Sequence, residues 1–354
     1  MIEEPQMPLS PVLRVLTLAC GALVCASFWQ PSLASDPIKI HGAGASFPAP
    51  LYQRWFRDYF LAHPNIQVDY QPIGSGPGVN SFIEGRLDFA GSDQPLTGEL
   101  AQRAGDNVLQ LPLTAGAVVL TYNLPGIDGL RLSREALAGI FLGSIARWND
   151  PLILAANPGV EVPDLPIVVV TRVDASGTTL VMTQHLSAIS EAFAKQVGES
   201  QSPAWPALLL ERGGLIRGHG NGGVAAFVQA TVGAIGYVQY AYAHLPSMQM
   251  ASVENHEGEF VSADSDSFRA AVESFRAKLD PSQLSDPEGA GAYPILSLSW
   301  LMTRTGGDDA KSQAMRDVLR YALTDGQAEA TKLGYIPLSR EAVALILQQL
   351  GPVE

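Results

Sequence analysis

The amino-acid sequence predicts an α/β protein of two domains connected by two long strands. Three consecutive segments near the N-terminus each run from an apolar, strand-like stretch into a polar turn and then into a helix, and a similar unit recurs near residue 170. Two further apolar segments, 113–123 and 293–302, are candidates for strands that cross between the domains. A chain of 354 residues is long enough for two cores of ordinary size.

Residues 1–34 have the pattern of a cleaved secretory signal peptide. Arg14 precedes an apolar run from Val15 to Val24, and small residues precede a predicted cut after Ala34. The acidic residues before Met7 are unusual for such a peptide, so Met7 is an alternative start. We therefore expect an exported protein.

Both cysteines of the chain, Cys20 and Cys25, lie inside this predicted signal, so the mature protein would have no disulfide. Lipid attachment at Cys20 is the weaker alternative, because the residues before it match a lipidation site poorly.

The overall charge restricts the classes of ligand. With 22 Lys and Arg against 35 Asp and Glu, the formal net charge is −13. This balance argues against binding nucleic acid or anionic lipid, so a site for an anion would have to be local. The six His residues are scattered without zinc-site spacing, and we expect neither a metal nor a cofactor.

The first unit places a serine at the start of a helix. A strand at 38–40 leads into the turn 42–50, and a helix follows to about Leu61. Ser46 would then offer its hydroxyl, and Phe47 its backbone N–H, to a bound anion. A simple N-cap role for Ser46 is the alternative.

The second unit repeats this design with a strand at 66–72, the turn Gly74–Gly78 and a helix at 79–84. Its glycines would let the backbone and Ser75 approach a ligand closely. The spacing of dinucleotide-binding loops is absent here. It does occur at Gly218–Gly223, but without a convincing strand before it, so we interpret that loop as a helix start with Asn221 as a possible cap.

The third unit, Leu87–Leu96, is an apolar strand that ends in an acidic turn. Asp93 lies at the carboxyl end of the strand, where open α/β sheets bind ligands. The alternative is that Asp93 caps a helix beginning near Thr97.

The unit near residue 170 carries one fixed cation. A β-branched strand at 168–171 leads to Arg172, Asp174 and Ser176, and then to a helix near 180–186. A strand that ends in such a turn and opens a helix presents backbone N–H groups and the positive end of the helix dipole to an anion.

The remaining segments complete the predicted α/β pattern. We expect helices within 130–157, a helix at 223–230, a strand at 235–240, a surface hairpin at 249–262, and helices at 267–278, 310–323 and 339–350.

Six segments in order resemble the periplasmic phosphate-binding proteins of the phosphate-specific (Pst) ABC transporter. They are GAGASFPAP, YQPIGSGPG, DFAGSDQPL, FLGSIARWNDP, VTRVDASGTT and AIGYVQYAYA. The resemblance covers about residues 38–340. It implies a type II periplasmic-binding-protein fold, with a signal peptide at 1–34, domain I at 35–112 and 291–354, and domain II at 113–290.

The resemblance also implies a set of ligand contacts and partners. Asp174 would orient the guanidinium of Arg172. The ligand would be inorganic phosphate, and the partners would be the membrane permease and ATPase subunits of the transporter, with the protein itself a monomer and not an enzyme. The implied phosphate contacts are Ser46, the backbone N–H of Phe47, Ser75, Asp93, Arg172, Ser176, Gly177 and Thr178.

Asp93 is the predicted selectivity residue. Phosphate at neutral pH retains an O–H that can donate to an ionised carboxylate, whereas sulfate would set acceptor against acceptor. We therefore expect Asp93→Asn to weaken the preference for phosphate over sulfate. Two alternatives stay open at this point: a binding protein for another oxyanion such as sulfate or molybdate, and a secreted phosphatase or serine hydrolase. Neither a Gly-x-Ser-x-Gly motif nor a P-loop supports the enzyme.

Overall fold

The computed structural model describes residues 36–275, 284–305 and 309–351. The predicted signal peptide at 1–34, with Met7, Cys20 and Cys25, lies outside these ranges, as does the end of the helix predicted at 267–278. The α/β class predicted from the sequence is confirmed.

The chain begins with the three predicted strand–helix units. Their strands are parallel, with β1 between β2 and β3. All three carboxyl ends therefore lie at one edge of the sheet. The elements are β1 (Ile38–Gly44), α1 (Ala49–Ala62), β2 (Ile66–Gln71), α2 (Ser75–Ile83), β3 (Phe89–Ser92) and α3 (Gly98–Ala104).

Two long strands occupy the centre of the sheet, as the apolar segments predicted. Strand β4 (Val108–Tyr122) and strand β12 (Leu296–Arg304) are antiparallel neighbours, and β12 lies between β3 and β4. Strand β4 starts earlier than the predicted Leu113 because Pro112 does not interrupt it. The pairing shifts register at Ser299/Trp300, opposite this proline, which has no N–H to donate.

The other half of the main sheet is built on the second part of β4. Residues 118–122 of this strand pair with β8, and β6 lies between β8 and β7, parallel to both. In the described ranges, the strand order is β2-β1-β3-β12-β4-β8-β6-β7, and β9 pairs with the end of β4. The strands of this half are β6 (Val168–Arg172), β7 (Leu215–Gly218), β8 (Ala234–Gln239) and β9 (Gln249–Met250).

Helices α4 to α11 accompany these strands. The helix after β6 is longer than predicted from the sequence, and it starts directly after Ser176. The helices are α4 (Arg134–Leu142), α5 (Pro151–Ala156), α6 (Gly177–Ile189), α7 (Glu191–Gln196), α8 (Ala207–Glu211), α9 (Gly220–Ala230), α10 (Tyr240–His244) and α11 (Ser265–Phe275).

The predicted surface hairpin at 249–262 is only partly correct. Strands β10 (Ser252–Glu254) and β11 (Phe260–Val261) do pair antiparallel, but β10 also pairs with β5 (Arg131–Leu132). The hairpin is therefore part of a small three-stranded sheet in which Ala251 and Val253 are almost fully buried, whereas its tip at 256–259 is exposed.

The C-terminal helices return to the first half of the sheet. Trp55 of α1 is fully buried, and its indole N–H donates to the carbonyl of Gly326 at 2.6 Å. The end of the chain therefore packs on the first strand–helix unit. These helices are α12 (Ala310–Leu323), α13 (Gln327–Lys332) and α14 (Arg340–Gln349).

Across the described ranges, none of the helices has the length and apolar character needed to cross a membrane.

Candidate functional site

The predicted ligand contacts converge on one buried place in the fold. Ser46 follows β1, Asp93 follows the parallel strand β3, and Arg172 ends β6 in the other half of the sheet. The carboxyl ends of strands from both halves therefore meet at this place. The contacts that follow β2 and β3 touch those that follow β6. The N–H of Gly177 donates to Ser75 Oγ at 3.2 Å, and Thr178 Oγ1 lies 3.5 Å from Asp93 Oδ2. All eight predicted contacts are buried: Ser46, Phe47, Ser75, Asp93, Arg172, Ser176, Gly177 and Thr178.

The guanidinium of Arg172 is held by Asp174, two residues further along the chain. Arg172 Nε donates to Asp174 Oδ1 at 2.8 Å, and Nη2 donates to Oδ2. The N–H of Gly220 also donates to Oδ1, at 3.1 Å. Burial disfavours the charged form of Asp174, but these partners outweigh it and lower the pKa of this carboxyl group. Asp174 therefore stays ionised and fixes the plane of the arginine.

The backbone at Gly74 has no room for a side chain against this pair. Its φ is +102°, and a Cβ atom there would lie 2.5 Å from Asp174 Oδ2. Only glycine fits this conformation and this close approach. The turn before Ser75 is thereby pressed against the Arg172–Asp174 pair.

Among the buried polar atoms of the described residues that have no hydrogen-bond partner, two belong to predicted ligand contacts and are of opposite character. They are Nη1 of Arg172, a donor, and Oδ1 of Asp93, an acceptor. Buried polar groups are almost always paired in native proteins, so such an orphaned pair indicates a ligand that can accept one hydrogen bond and donate another.

Asp93 has an unusual tendency to be protonated. Burial raises its pKa from 3.8 to about 7, although the positive charge of Arg172 and the hydroxyls of Thr178 and Ser299 oppose the shift. Near neutral pH the carboxyl group can therefore switch between hydrogen-bond acceptor and donor.

Ser46 and Asp93 could each have been an N-cap of the helix that follows it. Helix α1 has Pro48 at its N-cap and α3 has Thr97, and neither makes a side-chain cap. Ser46 and Asp93 are therefore not caps. Ser176 is one, because its hydroxyl accepts from the N–H of Thr179 at 3.1 Å. Helix α6 thus begins at the site, and its first turn directs backbone N–H groups there.

Asn221 was wrongly predicted as a cap of α9. The N-cap is His219, and it makes no side-chain cap. The fully buried Asn221 instead contacts two predicted ligand residues: its Nδ2 lies 2.9 Å from Ser46 Oγ and 3.3 Å from Thr178 Oγ1. The Gly-rich loop at 218–223 is the sequence feature that could have indicated that Asn221 lies at the site.

Two tyrosines that the sequence analysis did not single out hold the backbone of the first turn. Tyr242 donates its hydroxyl to the carbonyl of Ser46 at 2.8 Å, and Tyr335 donates to the carbonyl of Phe47 at 2.6 Å. With both carbonyls occupied, the turn that leads from β1 into α1 is fixed in place.

The arrangement is suited to a small anion. It combines one arginine with hydroxyls and helix N-termini, and Asp174 partly offsets the arginine charge. No cluster of three or more His, Cys, Asp or Glu side chains within the described part of the chain could hold a metal ion.

Comparison with known proteins identifies the family. A family model described as a PBP superfamily domain matches residues 31–326. The chain is 39% identical over 315 residues to the phosphate-binding protein PstS of Xylella fastidiosa strain Temecula1, covering 87% of this chain and 84% of the relative. It is 35% identical over 349 residues to PstS of Methanocaldococcus jannaschii, covering 92% and 89%.

Solved structures show the same fold. A high affinity periplasmic phosphate-binding protein (PfluDING), solved with bound phosphate at pH 8.5, superposes with a TM-score of 0.70 at 23% identity, covering 87% of this chain and 92% of that chain. A phosphate-binding protein from Stenotrophomonas maltophilia gives a TM-score of 0.65 at 21% identity, covering 88% and 93%. The predicted type II periplasmic-binding-protein fold is confirmed. By the extent of these matches, the chain belongs to the PstS family of the PBP superfamily.

Proposed function

We propose that this chain binds inorganic phosphate between Asp93 and Arg172 and delivers it to an ABC transporter. The observation that carries the proposal is the pair of buried, unpartnered atoms, Asp93 Oδ1 and Arg172 Nη1. A phosphate ion can satisfy both, because it offers several acceptor oxygens and keeps one O–H. The PstS relatives are named as phosphate-binding proteins, which supports the same ligand.

Each predicted contact has a role in this proposal. Arg172 supplies the charge, and Asp174 orients it. Asp93 accepts the phosphate O–H. Donors to the remaining oxygens are the hydroxyls of Ser46, Ser75, Ser176 and Thr178 and the N–H groups of Phe47 and Gly177.

Asp93 also separates the proposal from its alternatives. Sulfate and molybdate carry no proton at neutral pH and would place an oxygen against the acceptor Oδ1. A phosphatase would need a nucleophile and a base arranged around the phosphorus, whereas the hydroxyls of Ser46 and Ser176 already accept hydrogen bonds from N–H groups. We therefore assign binding rather than catalysis.

Membership of the PstS family supports a transport role and a periplasmic location. We propose a periplasmic monomer that passes phosphate to the permease and ATPase subunits of the Pst transporter. Ser46, Ser75 and Asp93 would belong to domain I (35–112 and 291–354), and Arg172 to Thr178 to domain II (113–290). Closure of the two domains would then bring both sets of contacts to one anion.

Isothermal titration calorimetry of the mature chain tests ligand identity. At pH 8, where Asp93 is mostly ionised, we expect tight phosphate binding and clearly weaker binding of sulfate and molybdate, because neither anion has a proton to donate to this buried acceptor. Equal affinity for sulfate, or measurable turnover of a phosphate ester, contradicts the proposal.

A matched pair of arginine variants tests the site itself. Arg172→Lys loses the two-point contact with Asp174 and should weaken phosphate binding by about 100-fold. Arg147→Lys changes an exposed arginine paired with Asp164 and should leave affinity unchanged. Small-angle scattering should show compaction on adding phosphate, and an unchanged radius of gyration would argue against domain closure.

A further inference from the structure

Asn221 joins the two halves of the main sheet at the proposed phosphate site. It lies in the first turn of α9, which packs on β6, β7 and β8, whereas its partner Ser46 follows β1 on the other side of the central strands. Its backbone N–H and its Nδ2 both donate to Ser46 Oγ, at 3.0 and 2.9 Å. Both residues are buried.

The orientation of the Asn221 amide is fixed by a third element. The backbone N–H of Gln239, at the end of β8, lies 2.9 Å from Asn221 Oδ1. Because an N–H can donate only to an acceptor, the amide oxygen must face Gln239 and the amide NH₂ must face the site.

This orientation determines what the Ser46 hydroxyl can do. A serine hydroxyl has two acceptor lone pairs and one proton to donate. Asn221 fills both lone pairs, so Ser46 is left with its O–H as a donor. Since no acceptor for this O–H lies within hydrogen-bond distance among the described residues, the proton can be directed to an oxygen of the bound anion.

The same NH₂ group acts on Thr178. Asn221 Nδ2 lies 3.3 Å from Thr178 Oγ1, so this hydroxyl is also an acceptor toward Asn221. Its own proton is then available for Asp93 Oδ2, 3.5 Å away, or for the anion. One amide thereby sets the direction of two hydroxyl protons.

We propose that Asn221 is a positioning residue that makes Ser46 and Thr178 donors toward the bound anion. Without it, each hydroxyl could rotate and present a lone pair, and the site would lose part of its preference for an anion. This inference rests on the proposed function, because it concerns the same phosphate site.

A double-mutant cycle with Ser46 tests the inference, with the phosphate dissociation constant measured by calorimetry. Asn221→Ala should weaken binding by about ten-fold, as expected for one or two misdirected hydrogen bonds. In the Ser46→Ala background the same change should have a clearly smaller effect, because the hydroxyl on which Asn221 acts is gone. Equal effects in both backgrounds would overturn the positioning role.

Asn221→Asp provides a second variant of nearly the same shape. Its carboxylate can still accept from Gln239, but it presents an acceptor to Ser46 and captures the hydroxyl proton. We expect a loss of phosphate affinity of at least 100-fold. This variant decides the question if Asn221→Ala does not fold, and wild-type affinity in Asn221→Asp would overturn the inference.

Asn157→Ala is the matched control for a structural role. Asn157 is similarly buried, and its amide bridges Ile153 and Arg131 at 2.8 Å, away from the site. It should lower the melting temperature without changing phosphate affinity. The controls separate the two hypotheses: failure of the wild-type chain to bind phosphate overturns the proposed function, whereas normal wild-type binding with an unchanged Asn221→Ala overturns only the role of Asn221.

Discussion

Gly177 lies so close to Asp93 that a Cβ atom added to this glycine would be 2.6 Å from both Cβ and Oδ2 of the aspartate. It would also lie 2.7 Å from Ser75 Oγ. Real Cβ atoms do not approach their neighbours to this extent, so the first residue of α6 must be a glycine if both sets of contacts are to meet.

Gly177→Ala should therefore separate the two sets of contacts. Its backbone φ is not positive, so alanine is tolerated locally and even favours the helix, and the clash with Asp93 is the main effect. We expect phosphate affinity to fall by at least 100-fold in calorimetry while the melting temperature changes little. Gly222→Ala is the control, because its Cβ would meet only Tyr242 at 3.7 Å. Similar affinities for the two variants would contradict the close approach.

The discrimination against sulfate should depend on pH. Since the pKa of Asp93 is about 7, its carboxyl group is mostly an acceptor at pH 8 and mostly a donor at pH 6. A protonated Asp93 can donate to sulfate, so sulfate should compete better with phosphate as the pH falls from 8 to 6. Asp93→Asn carries a permanent donor, so it should discriminate less, and the part of the pH dependence that comes from Asp93 should be lost. Competition calorimetry at the two pH values checks both statements.

Asp93 should also lower the stability of the ligand-free fold at high pH. Its pKa is higher in the folded state than the usual 3.8, so the folded state binds more protons and loses stability as the pH rises from about 4 through 7. Asp93→Asn removes this cost. We expect it to raise the free energy of unfolding by up to ~4 kcal/mol at pH 8 and much less at pH 4. A destabilised Asp93→Asn at pH 8 would contradict the pKa shift.

His185 should make the protein sensitive to acid. The ring is fully buried, and neither nitrogen has a hydrogen-bond partner among the described residues. Burial lowers its pKa to about 4; nearby Asp286 opposes the shift, and Arg134 adds to it. Because the unfolded state binds the proton more readily, stability is lost as the pH falls from about 6.5 toward 4, by about 3 kcal/mol.

His185→Leu keeps the site apolar and should reduce this loss. Urea unfolding at pH 7 and pH 4.5 measures it, with His256→Gln, at an exposed position, as the control. If His185→Leu loses as much stability on acidification as the wild-type chain, another group is responsible.

Local features of this fold could be predicted from the sequence because their signals are local. Helix Ala310–Leu323 was predicted with its observed bounds, since its apolar positions recur at helical spacing. The turns after β1, β2 and β6 were likewise evident from their glycines and hydroxyl residues. The two central strands β4 and β12 stood out as long apolar runs, although Pro112 concealed the true start of β4.

Contacts between distant segments could not be predicted in this way. Asn221 and Ser46 are 175 positions apart, and nothing in the neighbourhood of either residue indicates the other. From the sequence alone, Asn221 therefore resembled an ordinary helix cap. Its contact with Ser46 is evident only in the folded structure. The pairing of β10 with β5 was missed for the same reason, because β5 lies more than 100 residues earlier in the chain.

The position of β12 between β3 and β4 has a consequence for how the chain is made. Strands β3 and β4 are separated by few residues in sequence, but the strand that fills the gap between them begins only at Leu296. During synthesis at roughly 5–20 residues per second, both edges would stay without a partner for on the order of ten seconds or more. Contacts of such long sequence separation also slow folding. The sheet of the nascent chain thus stays incomplete, and the chain stays open to chaperones or translocation, until β12 at 296–304 of the 354 residues has emerged.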